Sequence, residues 1–422
     1  MQQPLYGLIG GKLGHSYSKI IHEQIADYTY DLFPLPTEAE ARQFLEQRPF
    51  QAINVTIPYK QLVIPYCEEV DERAKAIGAV NTIVNRGGKL YGHNTDFGGF
   101  LYMVKAHGVS LRGKTVLILG TGGTHNTVAA VCRSEGAAEI LTVSRRAGEG
   151  RLDYAQAAAR TDVQIVVNTT PAGMYPENGG CLLELGGFNQ LEAVFDVVYN
   201  PFRTELLLRA EERGAVAVCG FEMLVAQAVY AAEYFHNAPI DHAKIGEIHK
   251  ALKAKLCNIS IIGMPSSGKT TIGKALAEKL GKTFVDLDEE IVRRAGKSIP
   301  DIFAQEGEAA FRRLETEAAA EAAKHTGQVI SCGGGIVKTP GNARLLRQNG
   351  PVLWIRRPLE ALTVGGGRPL SSSREALEKM EAERLPLYRA AADGIVENSG
   401  SLEQAITAAE EVFYEILDSE RT

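Results

Sequence analysis

The sequence predicts an α/β protein of more than one domain, each domain a largely parallel sheet flanked by helices. Three observations predict it. Short apolar runs bounded by Gly, Pro or Asn alternate with amphipathic stretches along the chain, as βαβ units require. Two of those runs, KTVLIL and NISII, open directly into glycine-rich turns followed by helical sequence. The length of 422 residues also exceeds one core, since domains usually run to about 100–200 residues.

The first block, to about residue 100, reads as strand (LYGLIG), helix (SKIIHEQIADY), strand (YDLFPL), helix (EAEARQFLEQ) and strand (AINVTIP). The second opens with KTVLILG, turns through TGG into the helix TVAAVCRSEG and returns in EILTVS. VQIVVNTT and AVFDVVY read as further buried strands, and FEMLVAQAVYAAEYF as a helix. Asn-Ala-Pro at 237–239 ends that helix, and the rest of 237–257 reads as a short helix rather than a flexible tether. A new strand–loop–helix unit starts at NISIIG, and the Ala-rich EAAAEAAKH is good helix sequence.

Composition narrows the function classes. With 45% hydrophobic and 23% charged residues the chain is globular, and a net charge of −6 gives no electrostatic case for nucleic acid or an anionic membrane. Cys67, Cys132, Cys181, Cys219, Cys257 and Cys332 form no CxxC and have no His at metal spacing, which predicts reduced thiols. The N-terminus MQQPLYGLIGG lacks a basic region and a long apolar stretch, so no signal peptide is expected. No apolar run approaches the roughly 18 residues of a membrane span. The predicted setting is the cytoplasm.

Gly263 to Thr270, GMPSSGKT, matches the phosphate-binding pattern GxxxxGK[ST] and lies between a buried strand and a helix, where the pattern works. Glycines let backbone N–H groups close around phosphate oxygens at a helix N-terminus. Gly263, Ser266, Ser267, Gly268, Lys269, Thr270 and Thr271 are therefore candidate ATP contacts, with Lys269 reaching the transferred phosphate and the Thr270 hydroxyl on Mg²⁺. In FVDLDEEI, Asp286 and Asp288 are two apart, which in an extended segment puts both carboxylates on one face. One would approach Mg²⁺ and the other a substrate hydroxyl.

The turn Gly120-Thr121-Gly122-Gly123 sits between a strand and a helix, the setting of a dinucleotide-binding (Rossmann) turn. Roughly twenty residues on, the next strand ends in Ser144-Arg145-Arg146. An acidic residue there would bond the ribose of NAD; two arginines suit a 2′-phosphate, so NADP is preferred.

In the second half, GMPSSGKTTIG, FVDLDEEI, GEAAFRRLE, SCGGGIV, RPL and ERLPLY occur in order over nearly all of 258–415, and this part resembles shikimate kinases. The resemblance implies a P-loop fold like that of nucleoside-monophosphate kinases, with a mobile lid. It implies that Asp286 serves Mg²⁺ through water and Asp288 orients the attacking shikimate hydroxyl. Arg312 and Arg384 would clamp the carboxylate, Glu315 would orient Arg312, and the backbone at Gly333, Gly334 and Gly335 would touch substrate and γ-phosphate. Arg368 would descend on the phosphates with the lid, whose TVGGGRPLSSS is short and glycine-heavy and lacks the arginine often found before RPL.

From residue 5 to 236, HSYSK, NVTIPYK, GAVNT, GHNTDF, NTTPAGM, DVVYNPFRTELL and GFEMLVAQA resemble shikimate dehydrogenases. That resemblance implies that Ser16 and Ser18 bond the substrate carboxylate, that Thr56, Asn81, Asp96 and Gln227 hold ring hydroxyls, and that Tyr199 lines the pocket. Lys60 and Asp96 would be the catalytic pair, Gly220 would lie at the cofactor, and His15 is read as shaping the serine loop. Departures fall at the cofactor: His125 takes the third-glycine slot of the turn, and Ser144 stands where Asn is usual.

The two resemblances imply a bifunctional enzyme of the shikimate pathway. The expected division is a substrate domain over 1–100 closed by 220–236, a Rossmann NADP-binding domain over 101–236, a linker at 237–257, and a P-loop domain over 258–422. Two alternatives stand beside this reading. The first half could act on quinate with NAD, which Ser18 in place of a threonine disfavours. The second half could bind nucleotide as a regulatory module without turnover.

Overall fold

The computed structural model describes residues 5–14, 16–363 and 373–419, so His15 and Arg368 lie outside the described residues. The chain divides into two compact units, Met1–Tyr199 with Thr204–Leu252, and Asn200–Arg203 with Lys253–Thr422.

The first unit holds two sheets. One contains β1 (Tyr6–Gly10), β2 (Tyr30–Pro34), β3 (Ala52–Val55), β4 (Glu69–Val70), β5 (Thr82–Arg86) and β6 (Lys89–His93), in the order β2-β1-β3-β5-β6-β4. It is mixed: β1 pairs in parallel with β2 and β3, β5 is antiparallel to both β3 and β6, and β6 pairs in parallel with β4. The hairpin between β5 and β6 turns on Gly87 and Gly88, both at positive φ, as a tight two-residue turn needs.

The second sheet contains β7 (Thr115–Leu119), β8 (Glu139–Val143), β9 (Arg151–Leu152), β10 (Ile165–Asn168), β11 (Ala193–Asp196) and β12 (Val216–Cys219). Its order is β12-β11-β10-β7-β8-β9 and every pairing is parallel. The central strands β10 and β11 are buried along their whole length, which is why they read as unbroken apolar runs rather than alternating ones.

Helices Asp96–Ala106 and Phe221–His236 pack against each other in this unit, and their contact needs Gly99: a Cβ there would come within 2.8 Å of the Met223 carbonyl oxygen. Asn237, in the left-handed region, closes the second helix, and a helix over Ala243–Leu256 follows. The boundary between the units falls inside this last helix, between Leu252 and Lys253.

The second unit is built on β13 (Ile259–Ile262), β14 (Thr283–Asp286), β15 (Gln328–Ser331), β16 (Val352–Arg356) and β17 (Gly394–Glu397), all parallel, in the order β14-β15-β13-β16-β17. One expectation changes here. Asp286 ends β14 and its carboxylate accepts the Asp288 N–H at 3.0 Å, so the chain turns at once into the helix Leu287–Ala295. Asp288 is thus a first-turn helical residue, not part of an extended segment, because an Asp at this position satisfies an otherwise unpaired N–H and starts the helix. The long helical stretch Ile299–Lys324 is interrupted at Gly307 (φ 83°, ψ 172°), where the sequence offers only a single glycine.

Lys282 anchors the C-terminal end of the helix that opens this unit. Its Nζ donates to the carbonyl oxygens of Ala254 (2.7 Å), Lys255 (3.0 Å) and Cys257 (2.7 Å), groups that a helix end leaves without internal partners. Burial lowers its pKa to about 8. Replacing it by methionine keeps the stem but strands these acceptors. Lys282→Met is expected to lower the melting temperature of this unit by a few degrees, about 1–3 kcal/mol, as read by calorimetry.

Candidate active sites

In the first unit, the ends of β3, β5 and β6 and the start of helix Asp96–Ala106 converge on one polar site. Lys60 Nζ donates to Asp96 Oδ2 at 2.6 Å, with the two side chains only 20% and 11% exposed. A close pair this far from water keeps the ammonium and the carboxylate in one fixed geometry, which a surface pair would not. Beside it, Asn81 Oδ1 accepts the Thr95 N–H (2.8 Å), and Asn81 Nδ2 donates to Thr95 Oγ1 (3.1 Å). Thr95 Oγ1 in turn reaches Gln227 Oε1 at 3.5 Å. The structure therefore unites Lys60, Asp96, Asn81 and Gln227 through Thr95, a residue not singled out in the sequence although it lies inside GHNTDF.

Thr56 follows β3, and its amide donates to the Ile9 carbonyl oxygen at 2.9 Å, tying it to the end of β1. Ser16 Oγ accepts the Ser18 N–H at 3.2 Å at the start of helix Ser18–Ile25. Tyr17, between the serines, packs its ring on Tyr199 (centroids 5.7 Å apart) and on Phe221 (5.9 Å). Burial raises the Tyr199 pKa, so its phenol stays protonated.

At the cofactor turn, Gly120 has φ 104°, and a Cβ there would lie 2.9 Å from Thr169 Oγ1. Gly122 and Gly123, by contrast, face open space at the N-terminus of helix Gly123–Ser134, so the turn forms an open backbone cradle of the kind that takes a pyrophosphate. The His125 ring, in that helix, bonds Thr142 Oγ1 through Nε2 at 2.9 Å. It thereby stitches the helix to β8, which accounts for a bulky residue in a slot where a small one is expected. Ser144 Oγ donates to the Arg146 carbonyl oxygen at 2.5 Å, and Arg145 and Arg146 are exposed beyond it.

In the second unit a cavity of about 380 Å³ opens between the loop after β13 and the helices beyond it. It is lined by Lys269, Thr270, Asp286, Asp288, Arg312, Glu315, Gly333, Gly334, Gly335 and Arg384, so the predicted residues converge. Lys269 Nζ crosses the loop to the carbonyl oxygens of Gly263 (3.0 Å) and Met264 (2.9 Å). Ser266 sits at φ 65° and Gly268 at φ 96°, the turn that brings successive amides to one side. Ser267 Oγ is fully buried with no partner among the described residues. Asn398, just past β17, donates to the Ser267 carbonyl oxygen at 2.8 Å and fixes the loop from behind; nothing near it in the sequence marks that task.

Thr270 Oγ1 lies 3.0 Å from Asp286 Oδ2. A hydroxyl and a carboxylate at the foot of a phosphate loop are the hard oxygen donors that suit Mg²⁺, so the residues present fit that ion.

The far end of the cavity is built around Glu315. Arg312 Nη1 donates to Glu315 Oε2 at 2.8 Å and Arg312 Nη2 to Glu308 Oε1 at 3.0 Å. Arg384, 3% exposed, donates through Nη1 to the Gly334 carbonyl oxygen at 2.7 Å, while its Nε is buried with no partner among the described residues. Tyr388, one helical turn on, donates to the same carbonyl. The glycine run is a matter of space. A Cβ at Gly333 would come 2.8 Å from Asp288 Oδ1 and 2.9 Å from Glu315 Oε1, and one at Gly335 would overlap the Arg312 guanidinium. Burial pushes the Glu315 carboxyl up to about 7; the Arg312 guanidinium opposes that shift and nearby Asp288 adds to it.

Comparison with known proteins gives both halves a family. The profile of the shikimate dehydrogenase substrate-binding domain matches residues 8–83, and that of shikimate kinase matches residues 265–419. The NADP(+) shikimate dehydrogenase of Clostridium perfringens is 33% identical over 268 residues, 60% of this chain and 99% of that protein. The corresponding enzyme of Halothermothrix orenii is 38% identical over 256 residues, 53% of this chain and 88% of that protein.

Among solved structures, a chorismate mutase/shikimate 5-dehydrogenase fusion protein from Clostridium acetobutylicum superposes with a TM-score of 0.57 at 32% identity, covering 60% of this chain and 99% of that one. Shikimate 5-dehydrogenase from Thermus thermophilus, in complex with NADP(H) and shikimate, gives 0.52 at 28%, covering 59% and 99%. The chain belongs to the shikimate dehydrogenase family and carries a shikimate kinase domain behind it.

Proposed function

We propose that this chain is a bifunctional enzyme that reduces 3-dehydroshikimate to shikimate with NADPH and then phosphorylates the 3-hydroxyl of shikimate with ATP. The observation that carries the reading is the presence, in one chain, of the Lys60–Asp96 pair and of the Asp288, Arg312 and Arg384 cavity, two sites whose chemistry meets in one compound.

In the dehydrogenase site NADPH supplies the hydride. As the ketone carbon is reduced, its oxygen gains charge and needs a proton, which Lys60 Nζ is placed to give while Asp96 holds it in position. Ser16 and Ser18 take the substrate carboxylate, and Thr56, Asn81 and Gln227 take ring hydroxyls, with Tyr199 at the wall. The turn at Gly120 to Gly123 takes the pyrophosphate, Ser144, Arg145 and Arg146 the 2′-phosphate, and Gly220 lies at the nicotinamide end.

In the kinase site ATP supplies the phosphoryl group, held by Gly263, Ser266, Ser267, Gly268, Lys269, Thr270 and Thr271. Mg²⁺ on Thr270 and, through water, Asp286 would neutralise phosphate charge. Asp288 orients the attacking hydroxyl, and the guanidinium groups of Arg312 and Arg384 take the carboxylate, where the unpartnered Arg384 Nε suits an added acceptor. Catalysis here is positioning plus charge stabilisation.

A coupled assay from 3-dehydroshikimate, NADPH and ATP tests the whole reading, and both NADPH oxidation and shikimate-dependent ADP release are expected. Lys60→Ala should cut dehydrogenase turnover by about 10²–10⁴ and leave ADP release intact. Lys269→Ala should do the reverse, abolishing ADP release while NADPH oxidation persists. A preference for quinate with NAD⁺ over shikimate with NADP⁺ would overturn the first half, and absence of ADP release from the wild-type chain at saturating substrates would overturn the second.

The Glu315 environment sets a pH dependence. Its carboxyl, raised by burial to about 7, is ionised above that pH and holds Arg312; below it the proton weakens the pair. The kinase KM for shikimate is expected to rise as pH falls through about 7, and Glu315→Gln should flatten that profile in initial-rate measurements at fixed ATP.

A further inference from the structure

We infer that Asp196 is a positioning residue of the dehydrogenase site, clasping the cofactor-side loop 168–172 to the segment that carries Tyr199. The inference rests on the dehydrogenase reading above.

Asp196 ends β11 and is fully buried, with no ion-pair partner among the described residues. Three neutral donors surround its carboxylate. Oδ1 accepts from Asn168 Nδ2 (2.9 Å) and from the Val198 N–H (3.0 Å), and Oδ2 accepts from Thr204 Oγ1 (2.6 Å). Val198 and Thr204 flank Tyr199 on either side, so this one carboxylate holds both ends of the segment bearing the pocket tyrosine. Thr204 is itself engaged a second time, since its Oγ1 accepts the Leu207 N–H at 3.4 Å and caps the helix Glu205–Glu212.

The clasp extends to the cofactor side through Asn168. Its Oδ1 accepts the Thr170 N–H (3.0 Å) and the Thr170 hydroxyl (2.7 Å), which folds the loop 168–172. Thr169 Oγ1 then donates to the Leu119 carbonyl oxygen at 2.6 Å, directly before the glycine turn at Gly120. Beyond β12, the Gly220 N–H donates to the Val198 carbonyl oxygen at 3.1 Å, and no side chain fits at Gly220 against the Val197 backbone. The end of β10 and the segment after β11 thus meet at one buried acceptor, and Thr169 joins the loop after β10 to the end of β7.

Such an arrangement is held against a cost. Burial pushes the Asp196 carboxyl up to about 7 in spite of the three donated bonds. A residue serving only packing would meet the same volume without that penalty, as leucine or asparagine could. What the carboxylate adds is capacity for acceptance at two oxygens, which ties Asn168 and both ends of the Tyr199 segment into one geometry.

The test is steady-state kinetics on the full chain with shikimate and NADP⁺, with ADP release by the unaltered kinase half as the folding control. Asp196→Ala is expected to lower dehydrogenase kcat/KM by about tenfold to a hundredfold, the scale of a misplaced reacting group, with KM for shikimate and for NADP⁺ both raised. Asp196→Asn keeps the shape and the Oδ1 contacts, and should recover part of the loss. Should the alanine variant fail to fold, the asparagine variant and Thr204→Val decide the matter, each expected to raise both KM values at least threefold.

Unchanged KM values with only kcat reduced would mark a purely structural role and overturn the inference, as would a shift confined to one of the two substrates. Lack of shikimate oxidation by the wild-type chain would instead overturn the dehydrogenase reading itself.

Discussion

Parallel pairing of strands is the constraint on which both glycine-rich loops of this chain depend. A parallel strand must be followed by a crossover before its neighbour begins, so all strands of such a sheet end on one edge and all their following loops gather there. In the order β12-β11-β10-β7-β8-β9 the connection changes direction between β10 and β7, and the glycine turn after β7 stands at that switch. In β14-β15-β13-β16-β17 the phosphate loop follows the central strand β13, with Asp286 at the end of β14 and the glycine run after β15 beside it. Neither site needed loops to be drawn together from remote places; the sheet topology delivers them.

Within that frame the two sites use charge in different amounts. The dehydrogenase pocket keeps one close ion pair, Lys60 with Asp96, and surrounds it with neutral amide and hydroxyl groups joined through Thr95. The kinase cavity gathers Lys269, Arg312 and Arg384 against Asp286, Asp288 and Glu315. The difference follows from the reactions. Hydride transfer develops charge at one oxygen, for which one positioned ammonium suffices, whereas phosphoryl transfer spreads charge over several phosphate oxygens beside a carboxylated substrate.

Much of this was legible in the sequence. GMPSSGKT, the glycine turn at Gly120 and the strands around them follow from local chemistry, and the structure places them as read. Other features were not legible because they depend on contacts distant in sequence. Asn398 supports the phosphate loop across 131 residues, and Thr95 links to Gln227 across 132. Asp288 misled for a local reason: periodicity of two argues for an extended strand, but the carboxylate of Asp286 competes by capping a helix two residues earlier. The break at Gly307 was hidden because one glycine within helical sequence usually costs about 1 kcal/mol rather than a turn. His125 departs from the expected small residue, yet its bond to Thr142 turns the departure into a contact.

The two buried carboxylates with elevated pKa show how such groups are kept. Glu315 leans on a cation, Arg312, and Asp196 on three neutral donors, yet burial brings both to about 7. The means of support decides what each can do. The guanidinium that balances Glu315 carries further donors in a fixed fork, so it can also take a substrate carboxylate. A group closed in by an amide, a backbone N–H and a capping hydroxyl has no such freedom, since every partner is fixed in the fold. Glu315 therefore belongs to the part of the molecule that responds to ligands, and Asp196 to the part that must not move while it does.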